Sequence, residues 1–198
     1  ADNVMTFQTV VKTVAHRNGL YADFSAKPLD DVPGNGFHIN ISVSPDKNSQ
    51  NLYYMIAGIL EKIEEMTAFF NPNENSYKRF GQNKAPGFIS WSNENRSQLV
   101  RIPAAIGEYN RAELRSPDPA ANPYLAFSLM IYAGLYGLQN KPDMPDSANI
   151  NLYKADPETL AKYKKLPEDL SSACKIAGTS KFIRAHVPAA ILDIYCNQ

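Results

Sequence analysis

The sequence predicts a mixed α+β domain in which a predominantly antiparallel sheet is backed by helices. Three observations point there. Phe37 to Val43 alternates strictly between apolar and polar residues, Asn110 to Arg115 alternates again with charges on one side, and Leu52 to Phe70 carries apolar residues at helical spacing. With 198 residues, 44% hydrophobic and 20% charged, the chain can bury one sizeable core and is too apolar for disorder. No internal repeat or low-complexity segment divides it, so one domain spanning 1–198 is expected.

A first helix is expected from about Asn3 to Arg17, with Val4, Phe7, Val11 and Val14 on one side, Asn3 as its cap and Gly19 as its stop. The chain enters this helix from Ala1 and Asp2 without an initiator methionine, which reads as a cut end. A short strand should follow. Lys27 and Pro28 then open a turn through Asp30, Asp31, Pro33, Gly34, Asn35 and Gly36. In the next strand Phe37, Ile39, Ile41 and Val43 share the core face, while His38, Asn40 and Ser42 share the other. Leu52, Ile56, Ile59, Ile63 and Met66 mark a packed amphipathic helix to Phe70. Asn71 to Phe88 is rich in Asn, Gly and Pro and too long for an idle connection, so it reads as a functional surface loop carrying Tyr77, Lys78 and Arg79.

Strands are expected over Phe88 to Ser92, Gln98 to Pro103 and Asn110 to Arg115. In the last, Arg111, Glu113 and Arg115 face away from Ala112 and Leu114. Asn122-Pro123 supplies a cap and a first-turn proline for a helix through Leu138, and Asp156-Pro157 repeats that signal for a shorter one. The tail should be helical, broken near Pro167 and Pro188.

Charge narrows the function classes. Twenty Lys and Arg balance twenty Asp and Glu, so nothing points to nucleic acid or an anionic membrane. No apolar run of spanning length and no basic-then-apolar leader is present, and a cytoplasmic location is expected. Cys174 and Cys196 have no nearby histidine pair and read as two reduced thiols.

Two patterns carry chemistry. Gly34-Asn35-Gly36 beside His38 lets a ligand approach the backbone next to an imidazole that can bind a metal or a phosphate, although a plain turn with a structural histidine has the same signature. Arg111, Glu113 and Arg115 place two guanidiniums around one carboxylate, an arrangement shared by solvated salt-bridge ladders. Asn95-Arg96 and Arg101 fall in neighbouring expected strands. The set could therefore converge on a metal-bound polyphosphate, which needs hard ligands for its cations and arginines for the transferred charge.

Four blocks, KPLDDVPGNGFHINIS, NSYKRF, WSNENRSQLVRIP and RAELRSPDPAANPYL, stand in family order, and together they resemble the catalytic domain of glutamine synthetase, the bacterial type I class in particular. The resemblance implies a truncated domain of that fold and an ATP-dependent ligation of ammonia to L-glutamate through γ-glutamyl phosphate, with Mg²⁺ or Mn²⁺ between the phosphates and the protein. Carried over by position, it implies His38 and Glu113 as metal ligands. Gly34, Arg79 and Arg115 would hold glutamate. Arg96 would stabilise the transferring phosphoryl group as the catalytic arginine, and Ser42, Asn40, Arg101 and Arg111 would seat ATP.

The sequence departs from that pattern in places. Lys84 stands before Ala85-Pro86 where the family has a glutamate that closes over substrate and takes a proton from ammonium; a protonated lysine cannot be that base. Glu94 is a weak substitute. The departure leaves open a γ-glutamyl-amide or polyamine ligase of the same superfamily. Pro33 and Asn40 replace the family's usual asparagine and second histidine. The family's other metal carboxylates and its N-terminal β-grasp domain lie outside this sequence. The expectation is therefore an excised, inactive domain, or at most a silent nucleotide-binding or assembly module. The parent is expected to be a homododecamer and this piece a monomer or small oligomer. Tyr153 resembles the tyrosine adenylylated in some type I enzymes, with an ordinary surface-loop tyrosine as the alternative.

Overall fold

A computed structural model describes residues 1–43, 50–82, 85–103 and 111–196. Its elements are helix α1 (Asp2–Arg17), strand β1 (Ile39–Ser42), α2 (Gln50–Phe70), the short α3 (Glu74–Tyr77), β2 (Trp91–Asn93), β3 (Val100–Ile102), β4 (Arg111–Leu114), α4 (Pro123–Asn140), α5 (Pro157–Leu160), α6 (Leu170–Thr179), α7 (Lys181–His186) and α8 (Ala189–Cys196). No helix among the described residues is long and apolar enough to cross a membrane.

The core is built on α2. Its Ile56, Ile59, Ile63, Met66, Phe69 and Phe70 are fully buried because the apolar positions recur along one side of a 21-residue helix. Helices α4 and α6 both pack against α2. The α2–α4 contact is unusually close because glycines meet there. A methyl group on Gly58 would lie 2.6 Å from the Gly137 Cα, and one on Gly134 would lie 2.8 Å from the Met55 Cε. Local chemistry starts several helices as the sequence implies. The Asn122 side chain accepts from the Tyr124 N–H with Pro123 in the first turn, and Asp156 accepts from Thr159 N–H ahead of Pro157.

Four strands form a mixed sheet in the order β1-β4-β3-β2. The β1·β4 and β3·β4 pairs are antiparallel, as expected, but β2·β3 is parallel. Glu94 begins the connection that returns the chain. It takes a left-handed conformation at φ 65, and the turn behind it is held by Asn95, whose side chain accepts from the Ser97 N–H at 3.0 Å. The chain is thereby returned to the start of β2, so that Glu94 N–H can donate to Ile102 O and Val100 N–H to Ser90 O along a parallel ladder.

Register then sorts the side chains. Ile39 lies opposite Leu114, Asn40 opposite Glu113, Ser42 opposite Arg111, and Arg101 opposite Glu113. Ile39, Val100, Ala112 and Leu114 join the core cluster. Asn40, Ser42, Arg101, Arg111 and Glu113 consequently share the far face.

Several local expectations need correction. The short strand between Gly19 and Lys27 does not form. The first helix is capped at Ala1 rather than Asn3, without a side-chain cap bond. The expected Phe88–Ser92 strand shifts to β2, and Phe88 makes only an isolated bridge to Lys165. The C-terminal helices also break at Ser180, whose hydroxyl accepts from the Ile183 N–H and donates to Glu65.

Candidate functional site

The site grows from the end of β4. Glu113 is buried on the polar sheet face, and its two oxygens are shared among three partners. Arg101 Nε donates to Oε2 at 2.6 Å, Arg115 Nη1 donates to the same oxygen at 3.1 Å, and His38 Nδ1 stands 3.1 Å from Oε1. Burial alone would raise this carboxyl. The Arg101 hydrogen bond and the charges of Arg115, Arg101 and His38 instead hold it below the usual range, so it is ionised at neutral pH.

His38 has the opposite balance. Burial and the nearby Arg115 charge lower it below its usual value, outweighing the Glu113 carboxylate. A neutral imidazole beside an ionised acceptor carries its proton on Nδ1 and leaves the Nε2 lone pair open. Nε2 points toward Gly36, where a methyl group would lie 2.9 Å away. The expected result is a His38 imidazole that titrates below 6.5 when followed by NMR. In Glu113→Gln its value should fall further, because the carboxylate that offsets burial and the charges of Arg115 and Arg79 is then neutral; a rise would show that the carboxylate is not the partner of Nδ1.

Beside His38 lies a cavity of ≈ 160 Å³ lined by Lys27, Gly34, Gly36, His38, Arg79 and Gln82, among others. The glycines are there for space. Neither has a left-handed backbone, but a methyl group on Gly34 would strike the Ala26 carbonyl and sit 2.8 Å from the Arg79 Cγ, and one on Gly36 would sit 3.3 Å from the Arg79 Nη2. The space these glycines leave is taken up by the chain's own Ala26 carbonyl and the side chains of Arg79 and His38.

Arg79 is carried by the loop after α3, which is fastened at both ends. Asn75 accepts from the Lys27 N–H at 2.6 Å and donates to the Lys27 carbonyl at 3.0 Å. Arg79 Nη1 donates to the Ser116 carbonyl at 3.1 Å and lies 3.9 Å from the Asp118 carboxylate. Its buried Nε has no hydrogen-bond partner among the described residues. Asp118 is completely buried and accepts from Asn71 Nδ2 at 2.8 Å and from the Ala120 N–H at 2.9 Å; even so, burial raises its carboxyl above the usual value. Lys27 is also buried, and its ammonium donates to the Val32 carbonyl. Cavity and clamp thus present Lys27, Arg79, Arg101 and Arg115 against one Glu113 and one Asp118, a surplus that suits an anion.

The structure brings His38, Glu113, Arg101 and Arg115 together, with Gly34 and Arg79 around the adjoining cavity. Asn40 and Ser42 are exposed on the same sheet face. Arg111 is exposed at the start of β4 and Arg96 on the β2–β3 connection, and neither forms an ion pair among the described residues. Lys84 lies outside the described residues. Sequence reasoning missed the Asn71–Asp118 support of Arg79 and the burial of Lys27; nothing in the spacing marks these residues as neighbours. It also allowed Tyr153 to be a surface tyrosine. Its hydroxyl is in fact buried without a partner among the described residues, and burial pushes it up to about 12 against the pull of Arg115 and Arg79.

A metal ion would find suitable donor types here but too few of them. Among the described residues, no three His, Cys, Asp or Glu side chains come together. His38 Nε2 is available, whereas Glu113 could ligate directly only by surrendering one of its present partners. The described residues do not make a metal centre by themselves.

A sequence profile described as "Glutamine synthetase, catalytic domain" matches residues 1–198. Glutamine synthetase of Methanosarcina mazei is 46% identical over 210 residues, covering 98% of this chain and 47% of that protein. The Staphylococcus epidermidis enzyme is 39% identical over 212 residues, covering 100% and 48%. Among solved structures, "GmaS/ADP complex-Conformation 1" superposes with a TM-score of 0.86 at 28% identity over 99% of this chain and 49% of that one. "Apo GmaS without ligand" gives 0.83 at 29% identity. The chain spans about half the length of the relatives it matches.

Proposed function

This chain belongs to the glutamine synthetase catalytic-domain family, and from that premise we propose that it forms part of a ligase that uses ATP to join ammonia to L-glutamate. The observation that carries the reading is the buried Glu113 clamp beside the cationic cavity of Arg79 and Lys27. Phosphoryl transfer to a carboxylate requires two anions to be held together, which positioned cations can do without any covalent step of their own.

In this reading the Arg79 and Arg115 guanidiniums and the backbone at Gly34 hold glutamate, while Arg101, Arg111, Ser42 and Asn40 seat the ATP phosphates and nucleoside. Arg96 swings in over the transferred phosphoryl group from its exposed position. The glutamate side-chain carboxylate attacks the terminal phosphorus, ADP leaves, and ammonia then displaces phosphate from the acyl carbon. His38 through Nε2 and Glu113 would contribute to holding Mg²⁺ or Mn²⁺, whose charge would screen the phosphates, with the remaining ligands supplied outside the described residues. The longer protein is proposed to be a homododecamer, and this chain alone a monomer or small oligomer.

A second reading joins glutamate to an organic amine, and the residue that favours it is Lys84 in place of a carboxylate. The test is ADP release by a longer protein containing this chain, with glutamate and either ammonium or a panel of amines. Release driven by ammonium supports glutamine synthesis. Release only with organic amines selects the second reading, and dependence on neither would sink both. Arg79→Lys should raise the KM for glutamate at least about tenfold while changing that for ATP little, because a point charge cannot replace the guanidinium fork.

A further inference from the structure

Away from this site, α6 and α8 bring the two cysteines of the chain together. Cys174 Sγ donates to the Tyr195 carbonyl at 3.3 Å, and Tyr195 directly precedes Cys196. The Cys174 sulfur thus lies against the backbone next to Cys196, and α6 and α8 pack on each other around the pair. Both line one open cleft of ≈ 790 Å³ with Glu74, Leu170 and Lys175, and both are half-buried, so a small solute can reach them. This is the arrangement of a thiol pair that can close on itself.

We propose that Cys174 and Cys196 form a reversible disulfide that ties α6 to α8 when the chain meets a small oxidised disulfide such as oxidised glutathione. One thiolate attacks the small disulfide, giving a mixed disulfide and releasing one small thiol. The second protein thiolate then attacks the bonded protein sulfur and releases the other small thiol. Two electrons pass to the small disulfide, and the two protein protons end on the two released thiols. Burial raises both cysteines, Cys196 up to about 12, where the neighbouring Cys174 adds to the effect; Cys196 in turn partly relieves Cys174 by hydrogen bonding. Cys174 is therefore the first nucleophile, and closure accelerates with pH, about tenfold per unit while both groups remain mostly protonated.

The experiment treats the intact chain with oxidised glutathione at pH above neutral, and in parallel with a diazene thiol oxidant, then measures mass and counts free thiols after denaturation. The expected product has lost two hydrogen atoms, carries no glutathione, contains no free thiol and returns to the starting mass with reductant. Its thermal midpoint should rise by several degrees, because the bond closes a loop between two native neighbours. Cys196→Ser should instead stop at a stable glutathione adduct on Cys174. Retention of both thiols with both oxidants, or stable adducts on the unsubstituted chain, would overturn the proposal.

Discussion

Glu113→Ala is expected to lower the unfolding free energy by about 3–5 kcal/mol, the range for removing one partner from a buried ion pair. The change strips the shared acceptor from Arg101 and Arg115, whose side chains are 19% and 4% exposed, and so leaves two guanidiniums facing each other with little water between them. Lost attraction is only part of the effect; the new repulsion and the uncompensated desolvation are the rest. Urea titration should show a lower midpoint at unchanged slope. Glu113→Gln retains the shape and one acceptor oxygen and should cost less than half as much. A loss below about 1 kcal/mol in the alanine variant would mean that both arginines find water, and that the clamp is a surface feature.

The same group gives the site its pH dependence. Because the folded Glu113 value lies below its unfolded one, its contribution to stability is fully present above about 4.5 and is lost as pH falls through the folded value. His38 acts in the same direction from a higher starting point. Its folded value lies below 6.5, so the unfolded chain takes up a proton first and stability declines as pH falls below 6.5. Asp118, raised by burial, works against both at the acid end.

The other large effect is expected far from the chemistry. Gly137→Ala should destabilise the chain by about 2–3 kcal/mol, near the upper part of the range for overpacking. A methyl group there would strike the Tyr54 carbonyl and lie 3.0 Å from the Gly58 Cα, and backbone atoms cannot rotate aside. Helices α2 and α4 would have to separate, loosening contacts of the completely buried Ile56, Ile59, Leu129 and Met130. Alanine's better helix propensity, about 1 kcal/mol, opposes this and is overcome. Gly178→Ala in α6 isolates that opposing effect, since a methyl group there meets nothing within 4 Å; it should gain a few tenths to about 1 kcal/mol. Equal effects at the two positions would refute the close-packing account.

What could be read without coordinates was chemistry that acts locally or at a fixed period. Asn122-Pro123 and Asp156-Pro157 cap their own helices, and the two-residue repeat put His38 on one face of its strand and Glu113 with Arg115 on one face of theirs. The pairing of those faces needed only that both strands bury their apolar sides on the same core. The parallel β2·β3 pair was out of reach because the connection between the strands begins with Glu94 in a left-handed conformation, which a glutamate does not advertise. Asp118 and Asn71 were missed for another reason: each looks like a turn residue, and only the fold brings them together across 47 positions. Ser180 was legible as a cap and was overlooked within a stretch of good helix formers.

Asn71 also fixes how the Arg79 segment moves. It extends the last turn of α2 through its N–H to the Thr67 carbonyl, while its side chain reaches the Ser116 carbonyl and Asp118, and Asp118 N–H returns to the Phe70 carbonyl. The arginine-bearing segment is thereby stitched into the same cooperative unit as the central helix. Its amides near Asn71 should exchange with solvent hydrogen only as slowly as that helix opens, and Arg79 should keep its place in the absence of any anion. Order at this end of the cavity is thus already present in the resting fold, and an arriving anion need not supply it.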